Sequence, residues 1–289
     1  MNRILTAWAL VLVPLAGNIA ELYDAGVAAH LERSLDAASA AYDEVLRTDP
    51  PREPTAAEWS TIERFAPRVF TTKTEPFALT DVAAIVNPDT GVIAYHLIWD
   101  DDIDFPDDND PSDHEVVWSM PSADRRTLAR FVTYFHGRQL IADQAALEDA
   151  ATHGGRPAVF VQWGKHGSMP LGWQRQRIVA EENETESAYY PVGRPITIEE
   201  YNRGTWRKLA TEGRRAIDNP IAGRLGWPRR FEGTWDAFST FPSAIDPRPM
   251  MRGRRTALVS RWNSATLNRW LIRYNFKPKT EWPDTADTP

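Results

Sequence analysis

Residues 95–118 read YHLIWDDDIDFPDDNDPSDHEVVW, an acidic loop between two apolar runs that are typical of β-strands. Nine carboxylates lie between positions 100 and 115, and His114 is the only side chain among them that can become positively charged. Like charges at this spacing repel one another unless a cation or a basic surface compensates them. The stretch therefore predicts two strands and a functional site at the loop that joins them.

The strand before the loop has a readable alternation. Residues 87–91 (NPDTG) are typical of a tight turn, because Pro presets φ and Gly accepts the left-handed conformation. With a period of two, the strand that follows has two faces. One face carries Val92, Ala94, His96 and Ile98, and the other carries Ile93, Tyr95, Leu97 and Trp99. The apolar neighbours of His96 predict a buried core histidine.

The remaining chain predicts further strands with helices around them. Helices are expected at residues 21–47 (one amphipathic helix), 55–65 (opened by a capping box), 144–152 and 197–216 (broken around Gly204 and Gly213), and strands at 68–72, 82–86, 114–120 and 157–163. Residues 124–135 fit a short helix or an edge strand, and residues 266–274 fit a helix or a strand. We predict a mainly β protein of the α+β class, with a β-sandwich core, an N-terminal helical extension and peripheral helices.

The domain organisation follows the same pattern. Residues 1–20 are expected to be a signal peptide or membrane anchor, residues 21–65 the helical extension, and residues 66–280 one β-sandwich-type domain. Residues 281–289 are polar and are expected to fray.

The N-terminus bears on location. Arg3 precedes an almost wholly apolar run at residues 4–15, which resembles a signal peptide but is short for a membrane span. The run predicts a secreted or cell-envelope protein. The alternative is a buried amphipathic helix in a cytoplasmic protein.

Composition narrows the classes of function. The chain has 289 residues, a formal net charge of −7 and no cysteine, so disulfides, zinc–thiolate sites and cysteine nucleophiles are excluded. Residues 203–273 hold 15 Lys and Arg against 5 Asp and Glu. This basic third either complements the acidic middle of the chain or forms a face for anionic lipid, phosphate or nucleic acid. The negative total argues against a general nucleic-acid binder.

The acidic loop holds the candidate metal ligands. Asp113 and Glu115 fall on the same face of the second strand, and paired carboxylates suit hard cations such as Ca²⁺, Mg²⁺ or Mn²⁺. Further oxygen ligands are predicted from the ends of the loop, namely Asp100, Asp101, Asp102 and Asp110. Alternatives are an acidic loop that serves solubility alone and general acid–base use of the carboxylate pair.

A second candidate site follows the strand at residues 157–163. In Gly164-Lys165-His166-Gly167-Ser168, flanking glycines allow tight backbone geometry and present Lys165 and His166, the predicted substrate-binding residues. His166 is a candidate ligand, proton carrier or plain loop histidine. The chain lacks the nucleophile-elbow, P-loop, zincin and dinucleotide-binding motifs.

Several motifs recur in an order that resembles the necrosis-inducing (necrosis- and ethylene-inducing peptide-like) proteins and the related vacuolar-protein-sorting-type domains. They are Phe65-Ala-Pro-Arg-Val-Phe70, Glu75-Pro-Phe77, a strand ending at Trp99, Asp113-x-Glu115-Val-Val-Trp118 and Gly164-x-His166-Gly167. The resemblance covers residues 65–173. It implies a β-sandwich with a divalent cation at an acidic rim, and, for the necrosis-inducing members, secretion and membrane damage after recognition of a surface glycolipid.

The resemblance also implies roles for single positions. Asp113 and Glu115 match the Asp and Glu ligands of the family motif, and His166 matches the His of its second loop. The upstream Asp ligand matches one of residues 100–102. Asp110 stands where the family has a His, His114 stands where it has a Trp, and the family's cysteine pair is missing.

Three functional hypotheses follow. The first is a non-enzymatic secreted or envelope protein that binds a divalent cation and recognises a lipid or glycan surface. The second is a metal-dependent hydrolase that uses Asp113 and Glu115, with His166 as proton carrier. The third is a structural or interaction protein without metal, whose acidic loop engages its own basic C-terminal region.

Overall fold

A computed structural model describes residues 18–102, 113–179, 193–211, 231–271, 278–279 and 281–283. Within these ranges the chain forms helices and strands in mixed sheets, which confirms the predicted α+β class. The sandwich arrangement of the sheets stays a prediction.

The strands, in chain order, are β1 (Arg68–Thr71), β2 (Leu79–Val86), β3 (Ile93–Trp99), β4 (Asp113–Pro121), β5 (Leu128–Phe135), β6 (Arg138–Ile141), β7 (Ala158–Val161), β8 (Ser168–Pro170), β9 (Arg177–Val179), β10 (Pro195–Thr197), β11 (Ser243–Ile245) and β12 (Ala257–Val259). The helices are α1 (Ile19–Leu31), α2 (Leu35–Thr48), α3 (Ala56–Phe65), α4 (Gln144–Thr152), α5 (Ile198–Thr211), α6 (Trp235–Ser239), α7 (Arg248–Arg254) and α8 (Asn263–Leu271).

The largest sheet has the strand order β12-β2-β3-β4-β5-β6. Neighbouring strands are antiparallel, except that β12 runs parallel to β2. The turn between β2 and β3 is as predicted: Gly91 has φ 73°, and Asn87 Oδ1 accepts hydrogen bonds from the amides of Asp89 and Thr90. Residues 124–135 fitted a short helix or an edge strand. Residues 128–135 of this stretch form strand β5, which pairs with β4 on one side and β6 on the other and is therefore not an edge strand.

A second sheet has the order β11-β1-β7-β8, with β1 and β7 parallel. Its residues Val69, Val159 and Val161 share one hydrophobic cluster with Tyr95, Leu97 and Trp99 of β3. The other face of β3 packs elsewhere, with Val92 and Ala94 in a cluster beside Trp118. The predicted division of β3 into two faces is confirmed, because side chains alternate across a strand.

The single helix predicted at residues 21–47 is instead a pair of packed helices. Arg33, with φ 60°, lies in the left-handed region between α1 and α2 and turns the chain back. Gly26 makes the close approach possible, since a Cβ there would lie 2.9 Å from the ring of Tyr42. Tertiary packing of two short amphipathic helices outweighs the uninterrupted helical pattern.

The predicted capping box of α3 is present, since Thr55 Oγ1 accepts from the Glu58 amide and the Glu58 carboxylate accepts from the Thr55 amide. The predicted break at Gly204 is wrong, because α5 continues through it, and Gly213 lies outside the described residues. Residues 263–271 form helix α8, so the described part of the stretch that fitted a helix or a strand is a helix. Residues 281–283 were expected to fray, but Glu281 is bonded to Tyr23 and Ser264, as described below.

Candidate functional site

Strand β4 carries two carboxylates, Asp113 and Glu115, on the face that it shares with its neighbour β3. The register of the two strands places Asp113 opposite Trp99 and Glu115 opposite Leu97, so both acids share the face of the large hydrophobic cluster. The prediction that Asp113 and Glu115 lie on one face is confirmed. Because that face is buried, both carboxylates need compensation from neighbouring groups.

The loop between β7 and β8 supplies the first compensating group. The amides of Lys165 and His166 both bond to the carbonyl of Gln162, which folds the loop tightly. His166 has φ 51°, a left-handed conformation that a non-glycine residue adopts at a cost of about 1 kcal/mol or more. Gly167 has no space for a side chain, since a Cβ would lie 2.9 Å from His136 Nε2. The predicted tight geometry of this loop is confirmed.

His166 is held between two carboxylates. Its Nδ1 lies 2.8 Å from Asp113 Oδ2, and its Nε2 lies 3.1 Å from Glu75 Oε1. Its ring stacks on Trp99 with centroids 4.1 Å apart, and the side chain is fully buried. Glu75 is fixed in turn, because its Oε2 accepts the amide of Gly164 at 3.0 Å.

The charge of His166 follows from these contacts. Burial disfavours the charged ring, but Glu75 and Asp113 outweigh it and raise the pKa of His166 to about 10. The imidazole is therefore protonated at neutral pH and donates from both nitrogens. That state does not suit a proton carrier near pH 7, so the predicted catalytic role of His166 gains no support from the geometry.

Lys165 forms a second ion pair. Its ammonium bonds to Asp102 Oδ2, and both side chains are almost wholly buried. Asp101 is also buried and accepts the Asp102 amide, whereas Asp100 is exposed and bonds through its own amide to the carbonyl of Ala78. The loop after β7 thus brings Asp102 to the site. Within the described ranges, Asp100 forms no hydrogen bond or ion pair with Asp113 or Glu115.

Glu115 meets the far end of the chain. Its Oε1 accepts a hydrogen bond from Lys279 Nζ at 2.8 Å, and the ammonium also lies 5.1 Å from the ring centroid of Tyr134. Burial raises the pKa of Glu115 to about 8, against the opposing effect of Lys279. Its Oε2 is buried without a hydrogen-bond partner in the part of the chain that the structure describes.

Asp113 differs from Glu115 in its ionisation. Burial works against its charge, but the hydrogen bond from His166 and the nearby Lys279 and Lys165 lower its pKa overall. Each of its oxygens accepts one hydrogen bond, because Oδ1 accepts the amide of His114 at 2.8 Å, and each keeps a second lone pair. Two adjacent carboxylates therefore have opposite tendencies, with Asp113 ionised and Glu115 holding a proton more readily.

The described residues contain no group of three or more His, Asp or Glu side chains that could hold a metal ion. Of the predicted ligands, Asp113 and Glu115 lie together, Asp102 is engaged by Lys165, and Asp110 lies outside the described residues. One feature of the site fits a hard cation, namely the buried Oε2 of Glu115, which has no hydrogen-bond partner among the described residues.

The opposite face of the sheet holds an uncharged histidine pair. His96 Nδ1 lies 2.8 Å from His114 Nε2, and His96 Nε2 lies 2.8 Å from Asn263 Oδ1. Burial lowers the pKa of His96 to about 4, so it is neutral. The prediction that His96 is a satisfied core residue is confirmed.

Sequence reasoning missed two members of the site, Glu75 and Lys279. In the sequence, Glu75 stands out only as part of the Glu75-Pro-Phe77 motif. A charged residue beside an apolar run is the one local feature that indicates a buried ion pair. Lys279 lies 164 positions from Glu115 and carries no local signal. Their roles depend on contacts between segments far apart in the chain.

Several described arginines of the basic C-terminal third pair with acids from earlier in the chain. Bonds join Arg252 to Glu63, Arg254 to Asp81, and Arg261 to Asp89 and Asp49. These acids lie before the acidic stretch at residues 100–115, so the expectation that the basic third complements the acidic middle of the chain stays a prediction. None of the helices in the described ranges is long and apolar enough to cross a membrane.

Comparison of the chain with protein families, with curated proteins and with solved structures gives no match. The resemblance to the necrosis-inducing proteins therefore rests on the short motifs given above and stays a prediction.

Proposed function

We propose that this protein is a non-enzymatic, secreted or envelope-associated protein that binds one divalent cation at Asp113 and Glu115. The observation that carries the proposal is the Glu115 Oε2 atom, which is buried and lacks a hydrogen-bond partner among the described residues. A buried carboxylate oxygen without a partner costs about 1–3 kcal/mol. A bound cation would remove that cost.

Charge and chemistry support the same site. Ca²⁺, Mg²⁺ and Mn²⁺ prefer oxygen ligands, and the carboxylates of Asp113 and Glu115 supply oxygen atoms. The cluster has four carboxylates (Glu75, Asp102, Asp113 and Glu115) against three cationic groups (Lys165, His166 and Lys279) when all are ionised. This excess of one negative charge is present only when Glu115 is ionised. Because burial raises the pKa of Glu115 to about 8, binding of a cation there would release the Glu115 proton near neutral pH.

The bound cation would supply positive charge at the start of β4, where Asp113 keeps partial access to solvent with a side chain 15% exposed. An anionic headgroup or an acidic glycan carries the complementary charge, and such a surface is the partner that we propose. The apolar run after Arg3 supports export. Vesicles containing anionic lipid, with and without Ca²⁺, provide the direct binding test.

Thermal melting tests the cation. The full chain is stripped with EDTA and melted alone and with Ca²⁺, Mg²⁺ or Mn²⁺, beside Glu115→Gln and the control Asp124→Asn at an exposed turn. A cation at 100 times its Kd should stabilise the parent and the control by about 2.7 kcal/mol, and Glu115→Gln by much less. Indifference of the parent to all three cations would refute the proposal.

A second candidate function, that of an interaction protein without metal, is supported by the ion pairs of the site. Lys279 already neutralises Glu115 Oε1, as Lys165 neutralises Asp102, so the cluster could serve only to tie distant segments together. An interaction protein of this kind would show the same melting temperature with and without every cation. The melting experiment therefore separates the two candidates.

A further inference from the structure

Lys279 reaches the acidic site from the far end of the chain. Its ammonium is 2.8 Å from Glu115 Oε1 and faces the ring of Tyr134, and its side chain is only 17% exposed. Asp113 and Glu115 hold the proton of Lys279 firmly, which raises its pKa although burial acts in the opposite direction. A protein cation thus occupies one oxygen of the carboxylate that we assign to the metal.

A separate set of contacts anchors the segment that carries Lys279. The carboxylate of Glu281 bonds to the hydroxyls of Tyr23 and Ser264 and accepts the Ser264 amide at 3.2 Å. Its carbonyl accepts hydrogen bonds from Asn263 Nδ2 at 2.9 Å and Trp118 Nε1 at 3.2 Å. These bonds all lie on residues outside the carboxylate cluster. The anchor and the charged contact can therefore be changed independently.

We propose that Lys279 is an internal competitor for the cation site: a divalent cation binds Glu115 by displacing the Lys279 ammonium, and the contacts of residues 278–279 and 281–283 loosen when the site is filled. This inference rests on the proposed function. An ammonium and a divalent cation repel each other when they share one carboxylate, so each weakens the binding of the other. By linkage the weakening is reciprocal.

Titration calorimetry of the full chain with CaCl₂ or MnCl₂ alone tests the competition. Lys279→Met keeps the unbranched side chain as far as Cε and removes the charged nitrogen, and it should bind the cation about tenfold more tightly than the parent, or better. Arg252→Met is the matched control, because it removes the same charge from a pair with Glu63. Its affinity should equal that of the parent.

Limited proteolysis supplies the reciprocal measurement on the unaltered protein. Trypsin cuts after Lys279 only when this side chain is released, and the product comprises residues 280–289. Saturating Mn²⁺ should speed the release of this peptide, with a control substrate correcting for any effect on trypsin. Ser264→Ala loosens the anchor without touching the site, and it should tighten cation binding even if Lys279→Met does not fold.

The outcomes separate the two proposals. If no variant binds a cation, the proposed function fails and the competition fails with it. If the parent, Lys279→Met and Ser264→Ala bind the cation equally, the proposed function stands and the competition is refuted. Tighter binding in either variant, together with faster cleavage after Lys279 in the parent, supports the competition.

Discussion

Replacement of Glu75 by glutamine should lower the free energy of unfolding by more than the loss of a surface ion pair does. Glu75 is one of two carboxylates that compensate the buried His166 ring, and its other oxygen holds the loop amide of Gly164. Glutamine has nearly the same shape, so the change removes the charge and leaves the packing almost intact. The imidazolium would then depend on Asp113 alone.

Coulomb's law gives the size of the effect. Opposite unit charges 3.1 Å apart attract by about 5 kcal/mol at an effective dielectric constant near 20. The raised pKa of His166 has the same sign, because Glu75 and Asp113 outweigh the effect of burial. Removal of one partner of a buried pair typically costs about 3–5 kcal/mol. We expect a loss in that range.

The assay is urea unfolding at pH 7 followed by tryptophan fluorescence. Glu63→Gln is the control, because Glu63 pairs with Arg252, whose side chain is 67% exposed, and such pairs contribute about 0–1 kcal/mol. The reasoning would be refuted if Glu75→Gln lost no more stability than Glu63→Gln. A loss of about 3 kcal/mol or more, with an unchanged slope in urea, agrees with it.

Two further predictions concern pH and packing. The parent should lose stability as the pH rises from 6.5 toward 10. The pKa of His166 is raised in the folded state, so the stability that its charge contributes is full below pH 6.5 and is lost as the pH approaches 10. A urea midpoint that does not fall across this window would contradict the assignment. Gly26→Ala should destabilise by about 1–3 kcal/mol, despite the better helix propensity of alanine, because its Cβ would meet the Tyr42 ring at 2.9 Å. Gly253→Ala, where no atom lies within 4 Å, should be neutral or stabilising, and thermal melting of both variants checks the contrast.

Local patterns predicted much of the fold because they act over a few residues. The turn at residues 87–91, the two faces of β3 and the capping box of α3 follow from hydrogen bonds and alternation within one element. The helix predicted at residues 21–47 did not follow, because the reversal at Arg33 depends on the contact between Gly26 and Tyr42 across two helices. The periodicity of residues 21–47 does not indicate that the first half of the segment packs against the second.

The sequence by itself determined that Asp113 and Glu115 share a face and that Gly164 and Gly167 frame a tight loop. Only the tertiary structure decided which groups compensate these acids. His166 meets Glu75 across 91 positions, and Glu115 meets Lys279 across 164. A local pattern fixes the direction in which a side chain points. Its partner is fixed by the packing of whole sheets, and here that packing brings positively charged side chains to Asp102, Asp113 and Glu115.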